Sequence, residues 1–357
     1  METYRFQASY LHAITRQLFM AAGTPRHIAD EVAEILVKAN LAGHDSHGVL
    51  RIPAYLRSIT ANDLNPAAEP AITRETTNLL FVDSQNGFGH YAARQAMEWA
   101  IHKARQSEVC CVSFVNTGHI GRLGEYAEQA AQAGCIGLIV FGVGGRKGGD
   151  VAPFGGISGA LKTNPIAVGV PTGDEIPFIL DYATSVVAEG KLQVARSKKA
   201  KLPEGYIINK HGQPSTNPAD FYDGGYLLPF GGHKGYALGM LMVLLGGLSG
   251  NFNSETGFMK GEFMQVININ AFTPLEAYQR GVRALLNDIK TIPPAPDFDE
   301  VLVPGEFEHR SRVKRLVEGI ELPATIYSEF QGWADRLAVP LSKEIVETSD
   351  QERYNLT

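Results

Sequence analysis

The sequence is poor in cysteine, in long apolar runs and in charge of one sign. Only three cysteines occur in 357 residues, Cys110, Cys111 and Cys135. Two are adjacent and the third lies in another apolar run, and none has metal-ligand spacing. An odd count implies reduced, buried thiols rather than a disulfide framework. The start, Met1-Glu2-Thr3-Tyr4-Arg5, lacks the charged-then-apolar pattern of a secretory leader, so the cytoplasm is the expected compartment. The longest strongly apolar stretch, Tyr236 to Leu248, is too short to span a bilayer and holds three glycines, and it reads as a core helix. Lysine and arginine number 32 against 38 acidic residues, a net charge of −6. No basic stripe suits nucleic acid, and Lys198-Lys199 with Lys201 reads as a solvated patch. No internal repeat is visible.

What is present is an ordinary globular composition, 44% hydrophobic and 20% charged, long enough for two or three domains. Helical spacing marks Ala8–Met20 and Pro25–Leu41, with Thr24 as cap of the second and Gly43 as its stop. Asp63–Thr73 reads as a linker. Strands at 78–83, 109–115 and 136–143 then alternate with helices at 92–106 and 123–133, the mark of an α/β layer structure. From Gly144 to Gly173 glycine and proline dominate. A strand follows at 178–181, helices at 187–196 and from near Lys234, a strand at 263–269, and a helix at 274–290 capped by Thr273. The segment 311–352 is helical and charged. Helical segments at both ends can therefore flank a central mixed sheet.

One stretch carries unusual chemistry: Gly43-His44-Asp45-Ser46-His47-Gly48-Val49-Leu50-Arg51-Ile52-Pro53-Ala54-Tyr55. Histidine titrates near neutrality and suits a proton donor. Arginine is the best side-chain match for a carboxylate, and His47 and Arg51 would share a face of one helical turn. The alternative reading is a solvated polar turn. Gly87-Phe88-Gly89-His90-Tyr91-Ala92 fits the glycine-rich fingerprint of a dinucleotide turn between strand and helix. No acidic residue ends the following strand, so the better reading is a tight turn with close helix packing. The glycines of 142–149, around Arg146 and Lys147, miss the fingerprint spacing. Gly231-Gly232-His233-Lys234-Gly235 opens the most apolar helix and offers amides plus a lysine to an anion; Pro304-Gly305-Glu306 offers a backbone turn.

Together these pieces resemble one family, the type 2 malate/L-lactate dehydrogenases. The matching motifs are Gly43 to Gly48 with Arg51 and Tyr55; Thr117-Gly118-His119-Ile120-Gly121; Val151 to Gly156; Thr163-Asn164-Pro165; Leu180 to Ser185; Leu228 to Tyr236; and Val303 to Glu306. They stand in family order over residues 8 to 340. His119 to Gly124 and the Asp181-Tyr182 pair look most like the bacterial hydroxycarboxylate dehydrogenase B branch.

The resemblance implies an α/β fold with a mixed central sheet and flanking helices. This is a non-Rossmann nicotinamide-binding fold of the L-sulfolactate dehydrogenase type, plus a helical domain from both chain ends. The implied division is 1–73 with 297–357 for the helical domain and 74–296 for the α/β domain, within which 117–180 could stand as a subdomain. The implied reaction is hydride transfer between NAD or NADP and a 2-hydroxy or 2-keto carboxylic acid, in a homodimer with neither nucleic acid nor membrane as partner. His47 is implied as proton donor, oriented by Ser46 and Asp181, with His119 as its rival. Arg51 would grip the substrate carboxylate, with Tyr55, His44 and Thr163 around the same pocket. For the cofactor the resemblance points to His119, Ile120, Gly121, Arg122 and Leu123; to Asp181, Tyr182 and Ala183; to His233 and Lys234; and to Pro304, Gly305 and Glu306.

Three alternatives stand beside this reading. A cyclic imino-acid reductase using NADPH needs the same proton donor and carboxylate grip. An inactive nucleotide-binding relative would not need all five of Ser46, His47, Arg51, His119 and Asp181. A metal enzyme has only His44, Asp45 and His47 to offer, a poor ligand set. Two departures from the common family form are the glycine-rich 142–149 loop, where relatives often contact the nicotinamide, and the absence of a histidine in 257–262. Neither NAD over NADP nor the particular acid can be read from the sequence.

Overall fold

The computed structural model describes residues 3–146, 149–342 and 346–354; Lys147 and Gly148 of the glycine-rich loop lie outside the described residues. Its main sheet runs in the spatial order Ala71–Glu75, Leu79–Asp83, Val109–Val115, Phe258–Asn268, Cys135–Gly144, Ile166–Val170, Phe178–Tyr182. Only Leu79–Asp83 and Val109–Val115 pair in parallel, and the other neighbours are antiparallel. The parallel pair needs a crossover, which is the helix Gly89–Ser107. The sheet is therefore mixed, as expected from the alternating elements.

Small residues set how close the layers come. The helices Gly89–Ser107 and Gly124–Gln132 bury Ala93, Ala96, Ala100, Ala127 and Ala130. A Cβ on Gly137 would meet Ala130 Cβ at 2.4 Å. On the opposite face, since side chains alternate along a strand, a Cβ on Gly142 would meet the Met242 carbonyl at 2.2 Å. The helix His233–Gly246 covers that second face.

The chain ends build a separate core. Helices Ala8–Ala21, Arg26–Leu41, Ile52–Thr60 and Ala324–Leu337 bury Leu11, Ile14, Ile28, Val32, Leu36 and Phe330 among themselves. Strand Thr3–Phe6 pairs with Ile320–Pro323 and ties one end to the other. The two cores interlock: Ile35 of the end helices joins the sheet core, while Phe88 and Tyr91 of the crossover helix join the end core.

Several local expectations need correction. Neither Thr24 nor Thr273 caps a helix. Pro25 and Pro274 take extended backbone angles and become the cap residues, so the helices begin at Arg26 and Leu275. The stretch read as a linker, 63–73, ends inside the strand Ala71–Glu75, an exposed edge whose polar residues hide it from pattern reading. The glycine- and proline-rich stretch contains the strand Ile166–Val170. The apolar helix is not wholly a core helix, because Leu241, Leu244 and Leu248 face outward.

Candidate active site

The stretch around His47 folds as two short 3-10 turns, Asp45–His47 and Val49–Arg51, rather than as one helical turn. Gly48 separates them in an extended conformation, and a Cβ there would strike Asn40 Oδ1 at 2.1 Å. Asn40 is the organiser from beneath. Its Oδ1 accepts from the Val49 amide at 2.8 Å and its Nδ2 donates to Asp45 at 2.6 Å. Arg315, from the helix Glu306–Glu318, grips Asp45 with two bonds of 2.6 and 3.0 Å. His44 meets Glu308 of the same helix at 3.2 Å. Burial works against the Glu308 charge, but bonds from His44 and the backbone outweigh it, and its carboxyl lies below the ordinary range. His44 and Asp45 thus anchor the loop to the helix Glu306–Glu318.

His47 and His119 come together. Their rings stack with centroids 5.7 Å apart and planes 11° from parallel. Ser46 Oγ lies 3.1 Å from His47 Nδ1. Arg51 donates from Nε to the Ser46 carbonyl at 2.7 Å and is exposed to solvent. His119 follows the strand Val109–Val115 and is exposed at the surface, although much protein surrounds its ring. Tyr55 Oη lies 2.7 Å from His119 Nδ1 and 3.3 Å from His90 Nε2. Crowding by protein lowers His47 to about 3 and His119 to about 4. The charge of Arg51 adds to both, and at His47 the neighbouring His119 contributes more than Arg51. His90, wholly buried, is lowered well below its ordinary value by the same desolvation. At neutral pH all three rings are neutral.

Asp181 does not meet His47. Its Oδ2 accepts from the Gly124 amide at 2.9 Å and lies 3.3 Å from Arg122 Nε, so it closes the start of the helix Gly124–Gln132. Burial raises its pKa, partly offset by Arg122. The orienting contact expected from the sequence is therefore absent, because the carboxylate is committed to the helix start. Arg122 itself is buried, with an Nε that makes no hydrogen bond.

The remaining expected residues make contacts of their own. The Thr163 carbonyl accepts from both the amide and hydroxyl of Thr184, next to Ala183. Tyr182 meets the Phe230 ring edge-on at 5.5 Å, and His233 meets Phe154 at 5.9 Å. Lys234 is exposed in the first turn of its helix, which no side chain caps. Pro304 and Gly305 run beside the strand Phe178–Tyr182, where the Pro304 carbonyl accepts from the Ile179 amide, while Glu306 is paired with Lys290. Ile120 and Leu123 are buried under the site, and Gly121 takes a positive φ of 73°.

The candidate metal set separates: His44 turns to Glu308, Asp45 to Arg315 and His47 to Ser46. Among the described residues only His12, Asp30 and Asp350 come within ligand distance of one another, and the Arg16 guanidinium already binds both carboxylates. Sequence reasoning missed His90, Asn40, Glu308 and Arg315. Of these only His90 had a signal, a histidine in the first turn of a helix after a strand.

The donors present suit the anionic phosphates of a dinucleotide. Arg122 offers a buried guanidinium, ion-paired with Asp181 but with an Nε that makes no hydrogen bond, and the helix start at Gly232, with φ of 63°, carries Lys234 and no side-chain cap.

Comparison with known proteins agrees with the fold and the motifs. The family model for malate/L-lactate dehydrogenase matches residues 6–331. Hydroxycarboxylate dehydrogenase B of Escherichia coli is 36% identical over 356 residues, covering 94% of this chain and 95% of that protein. The solved sulfolactate dehydrogenase of Methanocaldococcus jannaschii superposes with a TM-score of 0.87 at 32% identity, covering 95% of this chain and 98% of the other. The delta1-piperideine-2-carboxylate reductase of Pseudomonas syringae pv. tomato gives a TM-score of 0.81 at 28% identity, covering 93% and 100%. With the mixed sheet, the end-built helices and the motifs in order, this chain belongs to the malate/L-lactate dehydrogenase family of oxidoreductases.

Proposed function

We propose that the chain interconverts a 2-hydroxy carboxylic acid and its 2-keto form with NAD or NADP. The observation that carries this is the stacked pair of neutral rings, His47 and His119, with Arg51 beside both. A neutral imidazole can accept the hydroxyl proton or donate one to a carbonyl, and a guanidinium binds the adjacent carboxylate in a fork. The nicotinamide, when bound, supplies the hydride acceptor or donor. We assign the proton to His119 rather than to His47, because Tyr55 fixes the His119 Nδ1 and leaves its Nε2 for substrate. His47, steadied by Ser46, then binds the substrate oxygen. Residues 119–123, 181–183, 233–234 and 304–306 are the proposed cofactor cradle, with Lys234 and Arg122 as its cations.

The test is turnover with a panel of 2-hydroxy acids and both cofactors. No hydride transfer to any of them, with activity on a cyclic imino acid instead, would replace this reading by the reductase one. That second reading is favoured only by the likeness to the piperideine carboxylate reductase, and it uses the same residues.

The protein works as a homodimer in this proposal. The helix Leu275–Lys290 carries an apolar stripe yet buries none of its residues, and Phe272, Leu285 and Phe298 near it are exposed. Light scattering that gives the mass of one chain would overturn this. No helix among the described residues is long and apolar enough to cross a membrane. Three unpaired cysteines suit the cytoplasm. The separate end core supports a helical domain of 1–73 with 297–357, its border moved before Ala71 because that strand pairs into the main sheet. It also supports an α/β domain that begins at Ala71 rather than at 74 and runs to 296 without a subdomain, since the strands of 135–182 belong to the same sheet.

A further inference from the structure

His90 is the most deeply buried of the three histidines and has no place in the chemistry above. Its Nε2 faces Tyr55 Oη at 3.3 Å, and its Nδ1 has no partner in the protein. The ring is held in place by Gly121, where a Cβ would come within 2.7 Å of it. His119, Tyr55 and His90 all line a cavity of about 220 Å³ that also presents Ser58, Asp63 and Thr117, and that neither His47 nor Arg51 reaches. A buried polar nitrogen without a partner is uncommon and calls for a reason.

We propose that His119, Tyr55 and His90 form a proton relay from the reacting oxygen to this cavity. The proposal rests on His119 being the acid and base. In the oxidation direction the substrate hydroxyl proton goes to His119 Nε2. The Nδ1 proton of His119 goes to the Tyr55 oxygen, and the Tyr55 proton goes to His90 Nε2. The Nδ1 of His90 is sealed from solvent in the resting fold, so its proton leaves to water that enters from the cavity when the wall around the ring opens. Four bonds to hydrogen break and four form, and each ring ends neutral with its proton on the other nitrogen. Reduction runs the same path backwards. The unpartnered nitrogen is where the path ends.

The physical reason for a relay lies in the surroundings. Protein packing and the Arg51 charge disfavour an imidazolium at His119, so a proton taken there is held at a cost. Passing it on through a hydroxyl that can both accept and donate avoids storing that charge. The polar cavity wall suits water, which needs several hydrogen-bonding partners.

The experiment compares His90→Gln and Tyr55→Phe with His119→Asn, on protein of unchanged thermal midpoint. Glutamine keeps a hydrogen bond to Tyr55 but cannot pass a proton through a ring. Under the relay, kcat of His90→Gln and of Tyr55→Phe falls about 10- to 100-fold with KM little changed. The wild-type dependence of kcat on the deuterium fraction of the solvent is curved, as several moving protons require, and it becomes linear in His90→Gln. Independently of turnover, 15N spectra of histidine-labelled protein without cofactor show the His119 tautomer ratio moving in His90→Gln. Wild-type kcat and an unchanged solvent curve in either variant overturn the relay. If Tyr55→Phe fails to fold, His90→Gln decides alone. If His119→Asn keeps wild-type turnover, the acid–base assignment itself falls, a different result from loss of the relay with His119→Asn inactive.

Discussion

His12 and His90 are both completely shielded from solvent, and their surroundings are opposite. His12, on the first helix, bridges the second helix and the short C-terminal helix Thr348–Arg353. Its Nδ1 meets Asp350 at 2.8 Å and its Nε2 meets the Asp30 carbonyl at 3.1 Å. Arg16, also buried, binds Asp350 through bonds of 2.6 and 3.0 Å. Both ring nitrogens are committed and the charges cancel locally. Around His47, His90 and His119 no carboxylate stands within hydrogen-bond reach among the described residues, and each ring keeps one nitrogen without a protein partner. Desolvation lowers the histidines in both places. The difference lies in what the nitrogens face. A ring with two partners is a fastener, whereas a ring with one keeps a nitrogen for other chemistry.

That contrast predicts effects of different kinds. The largest is on turnover: His119→Asn lowers kcat by about 10²- to 10⁴-fold while leaving the thermal midpoint near wild type. Steady-state kinetics with calorimetry check this, and full turnover would sink the assignment. At the other cluster the effect falls on stability. Asp350→Ala leaves Arg16 with less compensation and costs about 3 kcal/mol in urea unfolding, with kcat per folded molecule unchanged. A large loss of kcat there would break the division between fastener and site. Next comes Arg51→Ala, which costs about 2 kcal/mol in kcat/KM for carboxylate substrates and much less for a neutral analogue. Equal losses on both would remove the carboxylate grip.

The smallest effect sharpens the contrast through pH. His47 is about 3 in the folded chain and near 6.5 when unfolded, so the unfolded state binds more protons in between. Stability attributable to it is complete above pH 6.5 and falls as pH drops toward 3. His47→Gln therefore flattens the slope of unfolding free energy between pH 6 and 4 by up to about 1.4 kcal/mol per pH unit. Asp350 is lowered: burial opposes its charge, but the bonds from Arg16, the backbone and His12 prevail. Its contribution is present above its unfolded value near 4 and is lost only as pH falls further, through the folded value. Removing Asp350 also removes the bond that holds the His12 pKa up, so on Asp350→Ala the slope from pH 6 to 4 steepens through His12. An unchanged slope in that window on Asp350→Ala would show that Asp350 does not hold the His12 pKa up.

Much of this was legible in the chain because its signals are local. Strand Val109–Val115 and the helices from Ala8 and Gly89 follow from spacing of apolar residues. The glycine turn at Gly87 was correctly judged a packing device: a Cβ on Gly89 would meet the Gly118 and His119 carbonyls at 2.7 Å. The strand Ile166–Val170 was hidden because its pattern is short and follows a proline. The role of His90 was hidden because its neighbours, Tyr55 and His119, are 35 and 29 residues away in the chain.

By itself the sequence determined the residue types a dehydrogenase site requires, their order, and the α/β frame that carries them. Only the tertiary structure decided which groups meet. It sent Asp181 to Arg122 and the Gly124 amide, bound Asp45 to Arg315 and His44 to Glu308, and stacked His47 on His119. The reason is range. Helix and strand preferences act over a few residues, whereas a hydrogen bond between side chains far apart in sequence exists only once two packed cores have fixed both backbones.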